Sequence, residues 1–330
     1  MLLIDAIYIN QGGGLVLLRY LLDVLKERNI EFYLLADDRC LGKLGEISQI
    51  QYMRASLKGR WGFYQKMPMN VASVLCFGNV PPPIRLDVPV YTYFHNINML
   101  TLSDCRNFKQ KVMYWLKRTY IKSKRKNTDT WFVQTTNTAR ELIKNLKVKE
   151  SSVSLYPFYR IPKFQRCKCE RTDYIFAGED SGSKGHKELI EAWRILHSRG
   201  ISRTLHLTVS SQSPLYNELK NIPEGGPRII NHGFIPLEEV FELYSKCRAT
   251  IYPSRNESFG LGIIEAIEAG CDVVASDLPF VHSICKPSEV FDRQNPCSIA
   301  DAVVRYEQGN CKSYKTVDDQ VNELVDVIIS

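Results

Sequence analysis

A chain of 330 residues is long enough for two domains of ordinary size, each with its own core. A hydrophobic fraction of 44% and a charged fraction of 24% are typical of a globular protein and exclude a disordered or fibrous one. The net charge of +7 indicates an anionic partner, such as the phosphates of a nucleotide or of lipids, and no nucleic-acid-binding signature accompanies it.

The first ten residues, MLLIDAIYIN, predict a buried strand and not a targeting segment. They are apolar but include Asp5, no basic run precedes the apolar stretch, and the stretch is too short to span a bilayer. We therefore expect a cytoplasmic protein.

Ten cysteines are spread along the chain without a C-x-x-C pair. The close pair Cys167 and Cys169 has no second cluster at the spacing of a zinc site. Most of the cysteines are therefore predicted to be buried, reduced thiols.

The first half of the chain alternates predicted strands and helices. Residues 2–9 form an apolar run that is typical of a parallel strand covered on both faces, and Gly12, Gly13 and Gly14 follow it. Helical spacing then extends over 15–28. Further strands are predicted at 31–36, 74–78, 88–94 and 130–134, and further helices at 105–126 and 137–146. This alternation is typical of a doubly wound α/β sheet.

The alternation stops near Pro157 and then begins again. We predict a first domain at 1–155, a linker at 156–171, a second domain at 172–311 and a terminal segment at 312–330. Strands of the second domain are predicted at 174–178, 205–209, 228–231, 249–252 and 272–275, with a helix at 187–198. The terminal segment ends in an amphipathic helix, which we expect to pack back across the cleft between the domains.

Residues 252–266, YPSRNESFGLGIIEA, place two carboxylates beside the predicted start of a helix. The helix is predicted to begin near Ser258, so that Glu257 lies on the preceding turn and Glu265 lies roughly 10 Å further along the helix axis. N–H groups around Ser258, Phe259 and Gly260 can bind a phosphate oxygen, and the carboxylates can accept hydrogen bonds from hydroxyls. The spacing alone equally fits a helix whose first residues merely cap it.

Residues 178–193, GEDSGSKGHKELIEAW, form a second candidate segment. A strand ends, a loop rich in glycine and serine follows, and Lys184 lies near the start of a helix. A cation at that place can neutralise a departing diphosphate. The alternative is an exposed surface lysine without a function.

Two features of the first half lie where α/β sheets bind ligands. The run Gly12-Gly13-Gly14 allows close approach of the backbone to a phosphate, or simply forms a tight turn, and it lacks the Gly-x-Gly-x-x-Gly order. His95 follows an apolar strand, so it lies at the carboxyl end of that strand. It is either a contact for a sugar hydroxyl or a structural histidine.

The predicted helix 105–126 combines basic residues with aromatic ones. Its basic residues are Arg106, Lys109, Lys111, Lys117, Arg118, Lys122, Lys124, Arg125 and Lys126. Its apolar residues at 108, 112, 115 and 116 can share one face with Thr119. The pattern fits an amphipathic helix that rests on anionic lipid, and it equally fits a core helix with a solvated basic face.

Residues 233–284 resemble the donor domain of retaining glycosyltransferases of family 4. The matching run is GFIPLEEVFELYSKCRATIYPSRNESFGLGIIEAIEAGCDVVASDLPFV. The resemblance implies the GT-B fold, an α/β architecture of two facing, doubly wound Rossmann-like domains with a deep cleft between them. The chain is also similar in style to O-antigen and capsule transferases of Gram-negative bacteria.

The resemblance implies a role for each candidate residue. Glu257 contacts the transferred sugar, Glu265 binds the ribose, and Lys184 binds the diphosphate. The remaining donor-binding residues are Gly12, Gly13 and Gly14, and the backbone amides of Ser258, Phe259, Gly260 and Leu261. His95 approaches the anomeric carbon. The family has an arginine where this chain has Glu179, so Lys187 or Arg255 is a candidate for the second positive charge.

Together these features predict a retaining transfer of a hexose from a nucleotide diphosphate sugar to a lipid-linked surface glycan. The predicted location is the cytoplasmic face of the inner membrane, with helix 105–126 on the lipid. No cofactor, metal or nucleic acid is expected, and the sequence has no Asp-x-Asp motif. The alternatives are an epimerase or a phosphorylase of the same fold, or a non-catalytic protein that binds a glycan or nucleotide.

Overall fold

The computed structural model describes residues 1–102, 108–164 and 170–330, which form two compact units. Unit 1 comprises Met1–Arg160 together with Asp318–Ser330, and unit 2 comprises Ile161–Val317. Cys105, Cys167 and Cys169 lie outside the described residues.

Unit 1 is built on a parallel sheet with seven strands in the described part of the chain. In spatial order they are β3 (Ile50–Met53), β2 (Phe32–Asp37), β1 (Leu2–Ala6), β4 (Ser73–Cys76), β5 (Val90–Phe94), β6 (Thr130–Val133) and β7 (Val153–Leu155). The strand order reverses at β1, which pairs with β2 on one side and with β4 on the other. Such a reversal is where doubly wound sheets bind their ligands, at the carboxyl ends of the strands.

Helices lie between several of these strands along the first segment of unit 1. They are α1 (Gly12–Glu27), α2 (Leu57–Gln65), α3 (Asn98–Thr101), α4 (Phe108–Lys124) and α5 (Thr136–Leu146). Apolar residues of α1 at helical spacing, including Leu18, Leu21 and Leu25, are fully buried. Their burial removes a continuous apolar stripe from water, which is the main term that holds α1 on the sheet.

Helix α4 does not pack as a core helix. Among its 17 residues, all of which are described, only Ile121 is buried. Its exposed large side chains are Phe108, Val112, Met113, Trp115 and Leu116. The interpretation of this helix as part of the core is therefore wrong, because its apolar face lies in solvent. Residues 105–107 of the predicted helix are outside the described residues.

Unit 2 contains a second parallel sheet, with six strands among the described residues. In spatial order they are β10 (Ile229–Asn231), β9 (Leu205–Leu207), β8 (Asp173–Phe176), β11 (Cys247–Tyr252), β12 (Asp272–Ser276) and β14 (Glu289–Phe291). A short antiparallel ribbon joins β13 (Cys285–Lys286) to β15 (Tyr314–Lys315). The strand order reverses at β8, which lies between β9 and β11. The prediction of two doubly wound α/β sheets is therefore confirmed.

The helices of unit 2 again alternate with its strands. They are α6 (His186–Ser198), α7 (Pro214–Lys220), α8 (Leu237–Lys246), α9 (Leu261–Glu268), α10 (Pro279–His282) and α11 (Pro296–Gln308). Helix α6 packs against α11, where Leu189, Trp193 and Val303 are buried. The indole N–H of Trp193 donates to the carbonyl of Arg203 at 2.9 Å, so this large ring is buried with its polar atom satisfied.

The terminal helix α12 (Val321–Ile329) belongs to unit 1. It contacts α1 and β4, and its Leu324, Val325 and Ile328 are fully buried in the same core cluster as α1. The hydroxyl of Ser73 donates to the carbonyl of Ile328 at 2.6 Å. Unit 1 is therefore built from two segments of chain that are separated by the whole of unit 2.

Leu324→Ala is expected to lower the free energy of unfolding of unit 1 by about 2–4 kcal/mol, because it leaves a cavity in the shared core. Urea unfolding followed by tryptophan fluorescence measures this change, since three of the four tryptophans, Trp61, Trp115 and Trp131, lie in unit 1. Ile329→Ala, on the exposed side of the same helix, is the control and should cost less than about 1 kcal/mol. Equal losses for the two variants would show that α12 is not part of the core.

Candidate active site

Two loops of unit 2 lie together at the carboxyl ends of the paired strands β8 and β11. The N–H of Arg255 in the second loop donates to the carbonyl of Ser183 in the first at 2.7 Å. Gly185 has a φ of +75°, and a Cβ at this position would lie 2.5 Å from the carbonyl oxygen of Pro253. Only glycine satisfies both constraints, so the two loops hold each other in one fixed arrangement.

Lys184 and Glu257 form an ion pair between these loops. The Nζ of Lys184 lies 2.5 Å from Oε1 of Glu257 and 5.8 Å from the centre of the Tyr252 ring. The hydroxyl of Tyr252 lies 3.5 Å from the same carboxylate oxygen. The two charged side chains are 24% and 19% exposed, so a ligand can reach them. Lys184 is therefore not a solvated surface lysine.

Glu265 lies on α9 and is 9% exposed. Burial raises the pKa of its carboxyl to about 7, against the opposing effect of the Lys184 ammonium. The carboxyl thus changes its charge near neutral pH. The structure brings Glu265, Glu257 and Lys184 into one cluster, as the sequence predicts for residues that bind one ligand.

Helix α9 begins later than predicted. Its first residue is Leu261, and Gly260 occupies the N-cap position with a φ of +81° and no side-chain cap. The prediction of a start near Ser258 is therefore wrong, and so is the interpretation of Glu257 and Ser258 as simple caps. The positive φ of Gly260 favours glycine there, and a Cβ would also lie 2.9 Å from Cδ1 of Ile284. The first N–H groups of α9 have no acceptor within the helix, and they mark its positive end.

The expected second cation of the site has several candidates in unit 2. The two predicted candidates, Lys187 and Arg255, are exposed. Glu179, which lies where the resembling family has an arginine, is exposed as well. A buried cation that sequence reasoning missed is Arg293, two residues after the end of β14. Its Nε donates to the carbonyl of Pro253 at 3.1 Å, and its Nη2 lies 3.6 Å from the carboxylate of Glu188. Arg293 therefore supports the loop that carries Glu257.

In unit 1, the predicted site residues Gly14 and His95 border a pocket of about 730 Å³. Side chains with amide or hydroxyl groups line it, namely Tyr8, Asn10, Gln11, Ser56, Asn79, Asn96 and Tyr120. His95, Arg39 and Lys117 complete its polar lining, and no described lining residue carries a carboxylate. Uncharged donors and acceptors of this kind suit a ligand rich in hydroxyl groups.

His95 follows β5 and is held by two contacts. Its backbone N–H donates to Oδ1 of Asn79 at 2.7 Å, and its ring meets Phe77 edge-on with 5.3 Å between centroids. Burial lowers the pKa of its imidazole to about 4, so the ring is neutral at physiological pH. Its Nδ1 is buried and has no hydrogen-bond partner among the described residues.

The three glycines after β1 form the first turn of α1 and not a loop before it. The helix begins at Gly12, three residues earlier than predicted, and Gln11 at the N-cap gives no side-chain hydrogen bond. A Cβ at Gly14 would lie 3.4 Å from Cε1 of His95, so the small residue allows the helix start to approach the histidine. The structure thus brings Gly14 and His95 together, whereas Gly12 and Gly13 have open space around them.

A buried ion pair beneath this pocket had no signal in the sequence. Nε of Arg60 on α2 lies 2.7 Å from Oδ2 of Asp5 on β1, and each residue is 1% exposed. The guanidinium also donates to the carbonyls of Pro81 at 2.7 Å and Val80 at 2.8 Å. It therefore fixes the loop that carries Asn79, and through Asn79 it fixes the backbone of His95.

Residues 160–321 match the model of the family "Glycosyl transferases group 1". The match spans the whole of unit 2. The chain is 30% identical over 135 residues to the serotype-specific mannosyltransferase WbdA of Escherichia coli. This alignment covers 39% of this chain and 16% of WbdA. It is 40% identical over 50 residues to the O-antigen chain mannosyltransferase RfbU of Salmonella typhimurium. That alignment covers 15% of this chain and 14% of RfbU. The chain thus matches less than a fifth of the length of these relatives.

Solved structures share the fold along nearly the whole chain. Sucrose-phosphate synthase from Thermosynechococcus elongatus has a TM-score of 0.68 at 14% identity, covering 93% of this chain and 89% of that one. The lipopolysaccharide outer core galactosyltransferase WaaB has a TM-score of 0.64 at 12% identity, covering 99% and 94%. These likenesses confirm the predicted GT-B fold.

Other expectations concern metals, thiols and membrane spans. No group of three or more metal-ligating side chains occurs in residues 1–102, 108–164 and 170–330. In the same ranges, five cysteines are buried free thiols, at positions 40, 76, 247, 271 and 285, and Cys297 and Cys311 are exposed. None of the described helices combines the length and the apolar character that a bilayer-spanning helix needs.

Glu265→Gln is expected to gain stability relative to the wild type as the pH rises. The carboxyl ionises near its ordinary value of 4.5 in the unfolded chain and near 7 in the folded protein, so the wild type loses stability between these values. Glutamine does not titrate, and the stability difference should grow by up to about 3 kcal/mol over this range. Urea unfolding at a series of pH values measures it. A difference independent of pH would contradict the burial of this carboxyl.

Arg60→Met should destabilise unit 1 by about 3–5 kcal/mol, because it leaves the Asp5 carboxylate buried without its partner. The double variant Asp5→Leu with Arg60→Met removes both charges and should recover much of this loss. Urea unfolding of the two variants tests the coupling. A double variant that is no more stable than Arg60→Met would show that the charges are not coupled.

Proposed function

We propose that this protein is a retaining, metal-independent glycosyltransferase. It moves a hexose from a nucleotide diphosphate sugar to a lipid-linked acceptor during the synthesis of a bacterial surface glycan. The observation that carries this proposal is the cluster of Lys184, Glu257 and Glu265 at the switch point of a group 1 glycosyl transferase domain. Lys184 and Glu257 are charged and partly exposed, and Glu265 lies beside them on α9, so the cluster offers a contact for each part of such a donor.

The donor binds by replacing the contact between Lys184 and Glu257. The diphosphate replaces Glu257 as the partner of the Lys184 ammonium, and a hydroxyl of the sugar replaces Lys184 as the partner of the carboxylate. Because both side chains are partly exposed, this exchange needs no rearrangement of buried charges. The positive end of α9, at Gly260 and Leu261, stabilises the phosphate further, together with the loop residues Ser258 and Phe259.

Glu265 is proposed to bind the ribose. Two neighbouring hydroxyls donate to its ionised carboxylate, and the Lys184 ammonium favours that ionised form. For unit 1 we propose that the first turn of α1, at Gly12, Gly13 and Gly14, binds the diphosphate. The neutral imidazole of His95 contacts the reacting sugar.

The reaction is a substitution at the anomeric carbon with retention. The bond from C1 to the phosphate oxygen breaks, and a bond from C1 to the acceptor oxygen forms on the same face. The acceptor proton passes to the departing phosphate oxygen, so the diphosphate is both the leaving group and the base. Lys184 and the helix start neutralise the developing negative charge, which is the task that a metal ion performs in other transferases.

The relatives suggest which substrates to test first. WbdA and RfbU are both named mannosyltransferases, and RfbU is named for the O-antigen chain. A nucleotide diphosphate mannose is therefore the first donor to test. We further propose that α4 rests on the anionic cytoplasmic face of the inner membrane, since its apolar side chains are exposed and it contains no acidic residue.

The second candidate is a non-catalytic protein that binds a glycan or a nucleotide. The observation that favours it is Glu179, an exposed carboxylate where the resembling family has an arginine for the diphosphate. Such a protein would bind the donor without turnover.

Donor binding is expected to raise the melting temperature with one nucleotide class only. The screen uses UDP-, GDP-, ADP-, CMP- and dTDP-sugars with EDTA present, because a ligand bound only by the folded state stabilises it by mass action. Glu265→Ala should abolish the shift. Absence of any shift in the wild type would contradict the proposed donor site.

A turnover assay distinguishes the glycosyltransferase from the non-catalytic binding protein. Lys184→Ala should lower kcat by about 100-fold or more, since it removes a charge that stabilises the leaving group. Lys220→Ala, on the exposed end of α7, is the matched control and should leave turnover unchanged. A wild type that binds its donor but forms no product with membrane acceptors, in EDTA or with magnesium, would favour the non-catalytic candidate.

A further inference from the structure

Helix α2 carries a second exposed apolar face, which the sequence did not reveal. Leu57 is 53% exposed and Trp61 is 51% exposed, and their spacing of four residues places them on one side of the helix. Arg60 lies about a quarter of a turn around the helix from this side, where it is buried and its ion pair with Asp5 anchors the helix to the sheet. The anchor leaves the apolar side chains in solvent.

Helices α2 and α4 border the same pocket. Leu57 of α2 and Leu116 of α4 both line it, and both are more than half exposed. The apolar face of α4 continues from Leu116 to Trp115, which is 50% exposed. Two apolar faces, each with a tryptophan, therefore flank one opening.

The two segments that flank this opening carry charge of a single sign. Neither the segment 54–70 nor α4 contains an aspartate or a glutamate. The exposed basic residues of the two segments are Arg54, Lys58, Lys66, Lys109, Lys111 and Lys117. A surface that combines tryptophans, leucines and lysines without carboxylates complements a bilayer with anionic headgroups, because the aromatic rings sit at the headgroup level and the ammonium groups meet the phosphates.

We infer that α2 and α4 form one bilayer-docking face and that the pocket of unit 1 opens between them onto the membrane surface. The saccharide of a lipid-linked acceptor then enters the pocket directly from the bilayer, while its lipid stays in the membrane. The docking face stands on the geometry of unit 1, and the entry of the acceptor rests on the proposed function.

The four tryptophans of the chain allow a direct test. Trp61 and Trp115 lie on the docking face, whereas Trp131 and Trp193 are each 1% exposed and give a constant background. The protein is mixed with vesicles of phosphatidylcholine and phosphatidylglycerol in equal parts, and the tryptophan emission is recorded. A blue shift is expected, with quenching by lipids that carry bromine on the acyl chain. Trp61→Phe and Trp115→Phe should each remove part of this response, and the double variant all of it.

Sedimentation with the same vesicles supplies the matched control. Leu57→Ser should lower the bound fraction several-fold, whereas Leu155→Ser, 43% exposed at the end of β7, should not. Equal binding to pure phosphatidylcholine vesicles would overturn the role of charge. A response of Trp115 alone would overturn the role of α2, and no vesicle binding at all would assign the face to a protein partner and overturn the inference.

These outcomes are distinguishable from a failure of the proposed function. The thermal shift with nucleotide sugars depends on Glu265 and the other proposed donor-binding residues, none of which lies on α2 or α4, and it is measured without vesicles. A protein that binds its donor but not vesicles keeps its donor site and loses the docking face. A protein that binds vesicles through both tryptophans but binds no donor keeps the docking face and loses the transferase.

Discussion

The arrangement of unit 1 around its pocket depends on the buried ion pair between Asp5 and Arg60. Two opposite charges in a dry interior tolerate little displacement, because each would otherwise lie unsolvated and unpaired. The pair ties three parts of the chain together, namely β1, α2 and the loop before His95. The same guanidinium thus sets where the histidine backbone lies and which side of α2 faces water, although it touches no ligand-accessible surface.

The ion pair of unit 2 is partly exposed to solvent, whereas that of unit 1 is buried. Lys184 and Glu257 are partly solvated, and their contact can be exchanged for contacts to a ligand at modest cost. Their positions come from the backbone, through Gly185 and Gly260, whose positive φ angles admit no other residue without strain. Rigid loops that carry exchangeable charges are what a binding site for a polar, charged molecule requires.

Much of the fold was predictable from the sequence because alternating strands and helices leave a periodic apolar pattern. The cluster in unit 2 was predictable because its residues lie in two continuous segments. Arg60 and Arg293 were not, since each acts on residues far away in the chain. The start of α9 was missed because a left-handed glycine leaves no mark on periodicity. Helix α4 was left ambiguous because the same spacing describes an apolar face that is buried and one that is exposed.

The return of α12 to unit 1 has a consequence for how the chain folds as it is made. Unit 2 is continuous, so all of its residues are present once Val317 has been synthesised. Unit 1 begins first but lacks Leu324 and Ile328 until the segment after unit 2 has left the ribosome. The half of the protein that is translated first is therefore the half whose core is completed last.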